Sequence, residues 1–344
     1  MALPKVVSLF SGAGGLDLGF RNAGFQLVFA VDSSDWAIKT HRRNFPGTKS
    51  IAADLIQLQP EGVLSELEEI LSPGDSIGVI GGPPCQGFSR ANTGAYADDP
   101  RNKLPLLYLD IVEALQRVYD VQFVLFENVL GIRDVKHEVA FNGILSKFRE
   151  LGFAEGVEEY CALDFGVPQN RKRVVISAFS AQGAFKAFSP AKIERGNLDV
   201  KSAIEGLPAP AFYSRIQRPE DNPYHPNHWT MRPLSRRFKT PDVLLQGGRS
   251  FRRLCWDKPS PTVAYGHREI HVHPDGARRL SIYEAMLLQG FPHEFVLEGP
   301  LSAQVEQVSN AVPPPLAEAL AVATKRALTQ VHGSLGKNNE LTAQ

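Results

Sequence analysis

Apolar runs of strand length alternate with amphipathic stretches along the first half of the chain, a pattern that predicts an α/β fold. Residues 5–10 are β-branched and read as a first strand, the Gly-rich stretch 11–15 as a turn, and 16–23 as a short helix ended by Gly24. Strands follow at 26–31, 50–53, 77–80 and 122–126, separated by helices at 36–44, 61–71 and 104–119. The 122–126 run is almost wholly apolar, as in a parallel strand covered on both faces. A helix at 140–151, ended by Gly152, leads to strand-like runs at 158–163 and 173–179.

From residue 180 to about 253 periodicity is lost, and prolines at 190, 208, 210, 219, 223, 226, 233 and 241 preclude long helices. Order returns at 280–289, a short helix opened by Ser281 with Glu284 three positions on, the spacing of a capping box. A last helix is expected at 316–331, and a polar, disordered tail at 332–344.

Charge adds a distinction that the periodicity does not make. The formal net charge is zero. Between residues 179 and 253, however, thirteen cations stand against six carboxylates, so the irregular segment is basic and the remainder acidic. Phe212, Tyr213, Tyr224, His225, His228 and Trp229 lie among these cations, which suits nucleic acid and equally suits the core of a small domain. No run approaches the roughly 20 apolar residues of a membrane span, and strand-like sequence begins by residue 5. A cytoplasmic monomer with no membrane contact is expected, nucleoid-associated when acting. The three cysteines, Cys85, Cys161 and Cys255, lack CxxC spacing, so neither a disulfide framework nor a metal site is indicated.

Candidate chemistry collects where strands end. Cys85 follows the 77–80 strand through Gly81-Gly82-Pro83-Pro84, which turns and stiffens the backbone. A lone cysteine is commonly a buried structural thiol, but Gly, Pro, Gln, Ser and Arg make a poor core, and Cys85 reads as a nucleophile. Glu127, directly after an apolar strand, is a costly buried charge or a working acid. Asp32 and Asp54 each end a strand, the place where open α/β sheets bind ribose hydroxyls, although either could be only a helix cap. The Gly12–Gly15 turn fails the dinucleotide fingerprint, because its third glycine would fall at Asp17. Acids beside a glycine loop point to a nucleoside-bearing cofactor without a pyrophosphate.

In order, and over nearly the whole chain, these blocks resemble the cytosine-C5 DNA methyltransferases. The stretch from Ser8 to Leu16 resembles their S-adenosylmethionine loop, Gly82-Pro83-Pro84-Cys85-Gln86 their nucleophile motif and Glu127-Asn128-Val129 their acid motif. Gln169-Asn170-Arg171-Lys172-Arg173 matches their QxRxR motif. Arg279-Leu280-Ser281 through Leu288-Gln289-Gly290-Phe291-Pro292, then Asn310-Ala311-Val312-Pro313, resemble their last two blocks.

The resemblance implies a doubly wound, Rossmann-like S-adenosylmethionine-dependent methyltransferase domain at 1–185 plus 305–331, a target-recognition domain at 186–280 and a hinge at 281–304. It implies methylation of C5 of a flipped-out cytosine in duplex DNA, with Cys85 adding to C6, Glu127 acting at N3, and Arg171 or Arg173 favouring the thiolate or contacting the base oxygen. The cofactor residues would be Phe10, Gly12, Ala13, Gly14, Gly15, Leu16, Asp32, Asp54, Leu107 and Asn310. DNA would be met by Gln86, Ser89 and Arg90 on the loop after the nucleophile and by Arg232, Arg236, Arg237 and Arg249. The chain departs from the family pattern with Asp32 for Glu, Ser33 for an aromatic, Ser309 for Gly and Tyr283 for Arg. A compact chain of this kind implies a bacterial enzyme paired with a restriction endonuclease. Methylation of tRNA and a non-catalytic accessory role are the alternatives.

Overall fold

A computed structural model describes residues 2–84, 103–193, 196, 198–213, 221–239, 252–262 and 271–341, with side chains to residue 330 and that of residue 237 excepted. Cys85, Gln86, Ser89, Arg90 and Arg249 lie outside the described residues.

A seven-stranded sheet forms the centre, in the order β3-β2-β1-β4-β5-β8-β6. The strands β1 (Lys5–Leu9), β2 (Leu27–Asp32), β3 (Lys49–Ala52), β4 (Ser76–Gly81) and β5 (Asp120–Asn128) run parallel. At the far edge β6 (Ala154–Cys161) pairs antiparallel with β8 (Lys172–Phe179), which pairs antiparallel with β5. A two-residue strand β7 (Gln169–Asn170) precedes β8. The helices α1 (Gly15–Asn22), α2 (Asp35–Asn44), α3 (Leu55–Glu68), α4 (Leu104–Gln116) and α5 (Glu138–Glu150) connect or flank the strands.

Alternation along the strands divides the apolar residues between two cores. Val6, Ile80, Phe123 and Leu125 join one face with Phe20, Leu288 and Leu320. Val7, Leu9, Val79, Val124 and Phe126 join the other with Tyr108 and Phe148. Period-2 side chains on strands buried on both faces give this outcome directly.

Beyond the sheet the segments are short: α6 (Gln182–Ala187), α7 (Val200–Ile204), β9 (Ala211–Phe212), β10 (Trp229–Thr230) and β11 (Ser260–Pro261). Then come α8 (Ile282–Leu288), α9 (Leu301–Asn310) and the long α10 (Pro314–Leu341). The capping box at α8 forms as expected, Ser281 Oγ accepting from the Glu284 amide (3.0 Å) and Glu284 Oε2 from the Ser281 amide (2.7 Å). The backbone of α10 runs on to Leu341, since no proline follows Pro315 and propagating an existing helix is cheap. In α3 Asp54 caps a first short turn from Leu55, the backbone breaks at Gln59 (φ 58°), and the helix expected from residue 61 follows Pro60.

The last helix returns to the first. A Cβ on Gly19 of α1 would lie 2.3 Å from the Ala317 carbonyl carbon, so only glycine lets α1 and α10 approach this closely.

Candidate active site

The carboxyl ends of β1, β2, β4 and β5 open on one cleft of about 580 Å³, at the strand edge where open α/β sheets bind ligands. Its walls include Phe10 to Ala13, Gly15 and Leu16 after β1, Asp32 to Ser34 after β2, and Ala53 to Ile56 after β3. Gly81 to Pro84, Glu127 to Val129 and Arg173 add a second side, and Ala303, Glu306, Gln307 and Asn310 to Val312 close it from α9. The described chain runs to Pro84 in this wall and continues directly into Cys85.

At the glycine loop Phe10 is held at φ 53°, rare for a residue with a side chain, and Gly12 takes φ 54°, which glycine adopts freely. Asp32 keeps the loop in place: its carboxylate accepts from the Gly12 amide (2.9 Å) and from the Ser34 amide (2.9 Å). Burial pushes the Asp32 pKa up, those two amides pull it down, and the charge of Glu306 adds to the rise. Asp54 caps α3 through the Ile56 amide (2.9 Å) and also lines the cleft, so its cap role and its place at the site coincide.

Glu127 occupies the opposite side. The β5 strand runs through Asn128, so Glu127 stands on the strand and is 9% exposed. Its Oε1 lies 2.7 Å from Arg173 Nε. Burial raises the Glu127 pKa above the ordinary carboxylate value, partly offset by Arg173 and Arg171. The same burial lowers that of Arg173. Two neighbours shape this acid's place. A Cβ at Gly82 would stand 2.6 Å from Glu127 Oε2, and Asn128 donates from Nδ2 to the Pro83 carbonyl (3.1 Å), clamping the turn that precedes Cys85.

Three expected site residues sit differently. Arg171 is fully buried and donates to the Ser309 carbonyl (2.8 Å), fastening the β7–β8 turn to α9 rather than facing the cleft. Leu107 packs against the core, and Leu104, one turn nearer the strand ends, lines the cleft instead. Gly14 faces His41 of α2 and Phe45 just past its end, where a Cβ would lie 2.4 Å from the phenyl ring. Arg232 and Arg236 are exposed, the guanidinium of Arg232 lying 5.7 Å from the centre of the Phe212 ring, and Arg237 shares the short turn Arg236–Lys239. Sequence reasoning missed Glu306, Gln307 and Ala303 because α9 carries no strong start signal before its Pro300 cap. Asp17, at the failed third-glycine position, pairs with buried His41 (3.2 Å). No cluster of metal ligands occurs among the described residues, and no helix there is long and apolar enough to cross a membrane.

Residues 4–326 match the sequence profile described as C-5 cytosine-specific DNA methylase. The chain belongs to that family. It is thus a DNA (cytosine-5-)-methyltransferase. The Type II methyltransferase M.MthTI of Methanothermobacter thermautotrophicus is 34% identical, with 95% of this chain and 98% of that one covered. M1.HphI of Haemophilus parahaemolyticus is 32% identical over 92% of this chain and 85% of that one. A solved structure described as a prophage-encoded DNA modification methyltransferase of E. coli superposes with a TM-score of 0.76 at 26% identity, covering 95% of this methylase and 100% of that chain. The α/β fold is the one shared by S-adenosylmethionine-dependent methyltransferases, as the strand pattern and motifs implied.

Proposed function

We propose that the cleft holds S-adenosylmethionine and that the enzyme methylates a cytosine flipped out of duplex DNA through a covalent bond from Cys85 to C6. The observation that carries this reading is the buried Glu127 beside Arg173, on the wall that the chain leaves to enter Cys85. The cleft suits the cofactor: Asp32 and Asp54 can still accept from sugar and amino groups, since each carboxylate oxygen has a second lone pair. Phe10, Leu55 and Ile56 offer an apolar wall where Ser33 replaces an aromatic, and Gly12 and Gly15 let the ligand approach the backbone. When bound, the cofactor supplies an electrophilic methyl group.

The remaining chemistry falls to this chain. C5 of cytosine is a weak nucleophile until a thiolate adds to C6 and leaves an enamine. Cys85 provides the thiolate. Glu127, its pKa raised by burial, holds a proton at N3 and so offsets the charge that addition places on the ring. Arg173 aligns Glu127 and brings a positive charge to the same side; Arg171 acts from behind by fixing the turn. Once C5 carries the methyl group, its proton passes to water, the electron pair restores the C5–C6 double bond, and the Cys85 thiolate leaves.

Residues 1–185 with 305–331 form the catalytic domain in this reading, 186–280 the target-recognition domain and 281–304 the hinge. The exposed Arg232 and Arg236 suit phosphate contact. Relatives named as Type II methyltransferases support a role in protecting host DNA from a partner endonuclease. Labelled S-adenosylmethionine with mixed-sequence duplex DNA and bulk tRNA, with Cys85→Ser alongside, tests the proposal. Label on C5 of cytosine in DNA, abolished by the substitution, is expected; label on tRNA alone would overturn it.

A further inference from the structure

Between α8 and α9 the chain passes through Val296, Leu297 and Glu298, and side chains meet all six of their backbone hydrogen-bonding groups. Asn44 of α2 accepts from the Val296 amide (3.2 Å) and donates to its carbonyl (2.9 Å). Asn227 does the same for Leu297, accepting at 2.8 Å and donating at 2.9 Å. The Glu298 amide donates to Thr40 Oγ1 (2.8 Å), and its carbonyl accepts from Gln307 Nε2 (2.9 Å). Thr40 in turn donates to Gln307 Oε1 (2.6 Å). A carboxamide is suited to this, because it presents a donor and an acceptor together and so imitates a paired strand.

The partners come from two parts of the enzyme. Helix α2 and helix α9 are walls of the cofactor cleft, through Ser34, Ala37 and Gln307. Asn227 comes from the segment assigned to target recognition, and it is 1% exposed. From Asn227 the chain enters β10, which pairs with β9, and reaches the exposed Arg232 over Phe212. Trp229, two residues on, donates from Nε1 to Gln304 Oε1 of α9 (3.1 Å). The orientation of this arm is therefore referred to the cofactor lobe across three residues of strap.

We propose that Asn227 is a positioning residue for DNA: its amide registers the recognition segment on the strap, and DNA affinity depends on it while cofactor affinity and the methyl-transfer step do not. The proposal rests on the reading of residues 186–280 as the recognition region. Asn227→Asp keeps the size and the acceptor but turns an oxygen toward the Leu297 carbonyl.

The test measures three quantities in the full-length enzyme: KM for mixed-sequence duplex DNA, kcat, and Kd for S-adenosylhomocysteine by calorimetry. For Asn227→Asp we expect KM for DNA to rise about tenfold, equivalent to about 1.4 kcal/mol, with kcat and the Kd held within about twofold, as for a lost buried hydrogen bond remote from the chemistry. Asn227→Ser, whose hydroxyl stops one bond short of the strap and makes neither hydrogen bond, should raise KM for DNA at least as much. A parallel loss of S-adenosylhomocysteine affinity would show a merely structural role and overturn the proposal, as would an unchanged KM for DNA. If Asn227→Asp lacks a cooperative melt, Asn227→Ser is judged by the same criteria. Wild-type enzyme that binds S-adenosylhomocysteine but methylates no DNA would count against the functional reading instead.

Discussion

Two buried glutamates each face an arginine, and they are pushed in opposite directions. Glu284 is met by both guanidinium nitrogens of Arg278 at 2.8 Å and by the Ser281 amide, and its pKa is lowered: burial would raise it, but Arg278 and the amide outweigh burial. Glu127 has one close contact, to Arg173 at 2.7 Å, and its pKa is raised. The difference lies in how many partners each carboxylate has, since both are removed from solvent. A saturated carboxylate holds α8 in place with its pKa below the ordinary value; an undersupplied one is left with its pKa raised, which suits the proton-handling role proposed for Glu127.

The contrast can be broken at either end. Glu127→Gln keeps the shape but cannot exchange a proton, and should lower single-turnover methyl transfer about 10³-fold, or about 4 kcal/mol, with the melting temperature unchanged or slightly raised. Arg278→Ala strands the Glu284 charge and should cost about 3 kcal/mol in urea unfolding, while S-adenosylhomocysteine binding by the folded fraction persists. Gly82→Ala forces the Glu127 carboxylate from its place and should slow transfer about 10²-fold, or about 2.7 kcal/mol, without weakening S-adenosylhomocysteine.

The smallest effect is in pH. Because the folded pKa of Glu284 lies below its ordinary 4.5, the stability that its ionised form contributes is whole above that value and is lost as pH falls through the lower folded one. The advantage of wild type over Glu284→Gln in urea titrations should therefore shrink on acidification. An advantage that held constant down to the acid limit would mean that the pair is not what stabilises α8.

The same two residues show what was legible beforehand. The capping box at Ser281 and Glu284 is a local device, bonded within one turn, and spacing reveals it. Glu127 was visible because an acid after an apolar strand violates the strand's own pattern. Arg278 was not assigned to Glu284, because its approach depends on the turn between them and not on a helical or strand period. Ala303, Glu306 and Gln307 of α9 escaped for a related reason: their helix has no side-chain cap, and their neighbours lie some 300 residues away in sequence. Asn44 and Asn227 gave no signal at all, since an asparagine that imitates a strand partner looks like any loop asparagine.

The closure of α1 on α10 also bears on how the enzyme is made. The cleft is walled at one side by residues 8–17 and at the other by residues 303–312, and α10 must arrive before α1 is covered. At translation rates of roughly 5–20 residues per second, the first strand waits for about 15–60 s before the cleft can be complete. A nascent methylase therefore lacks a complete cleft until α9 has been synthesised, and a ribosome that stalls before α9 releases a chain with one wall missing.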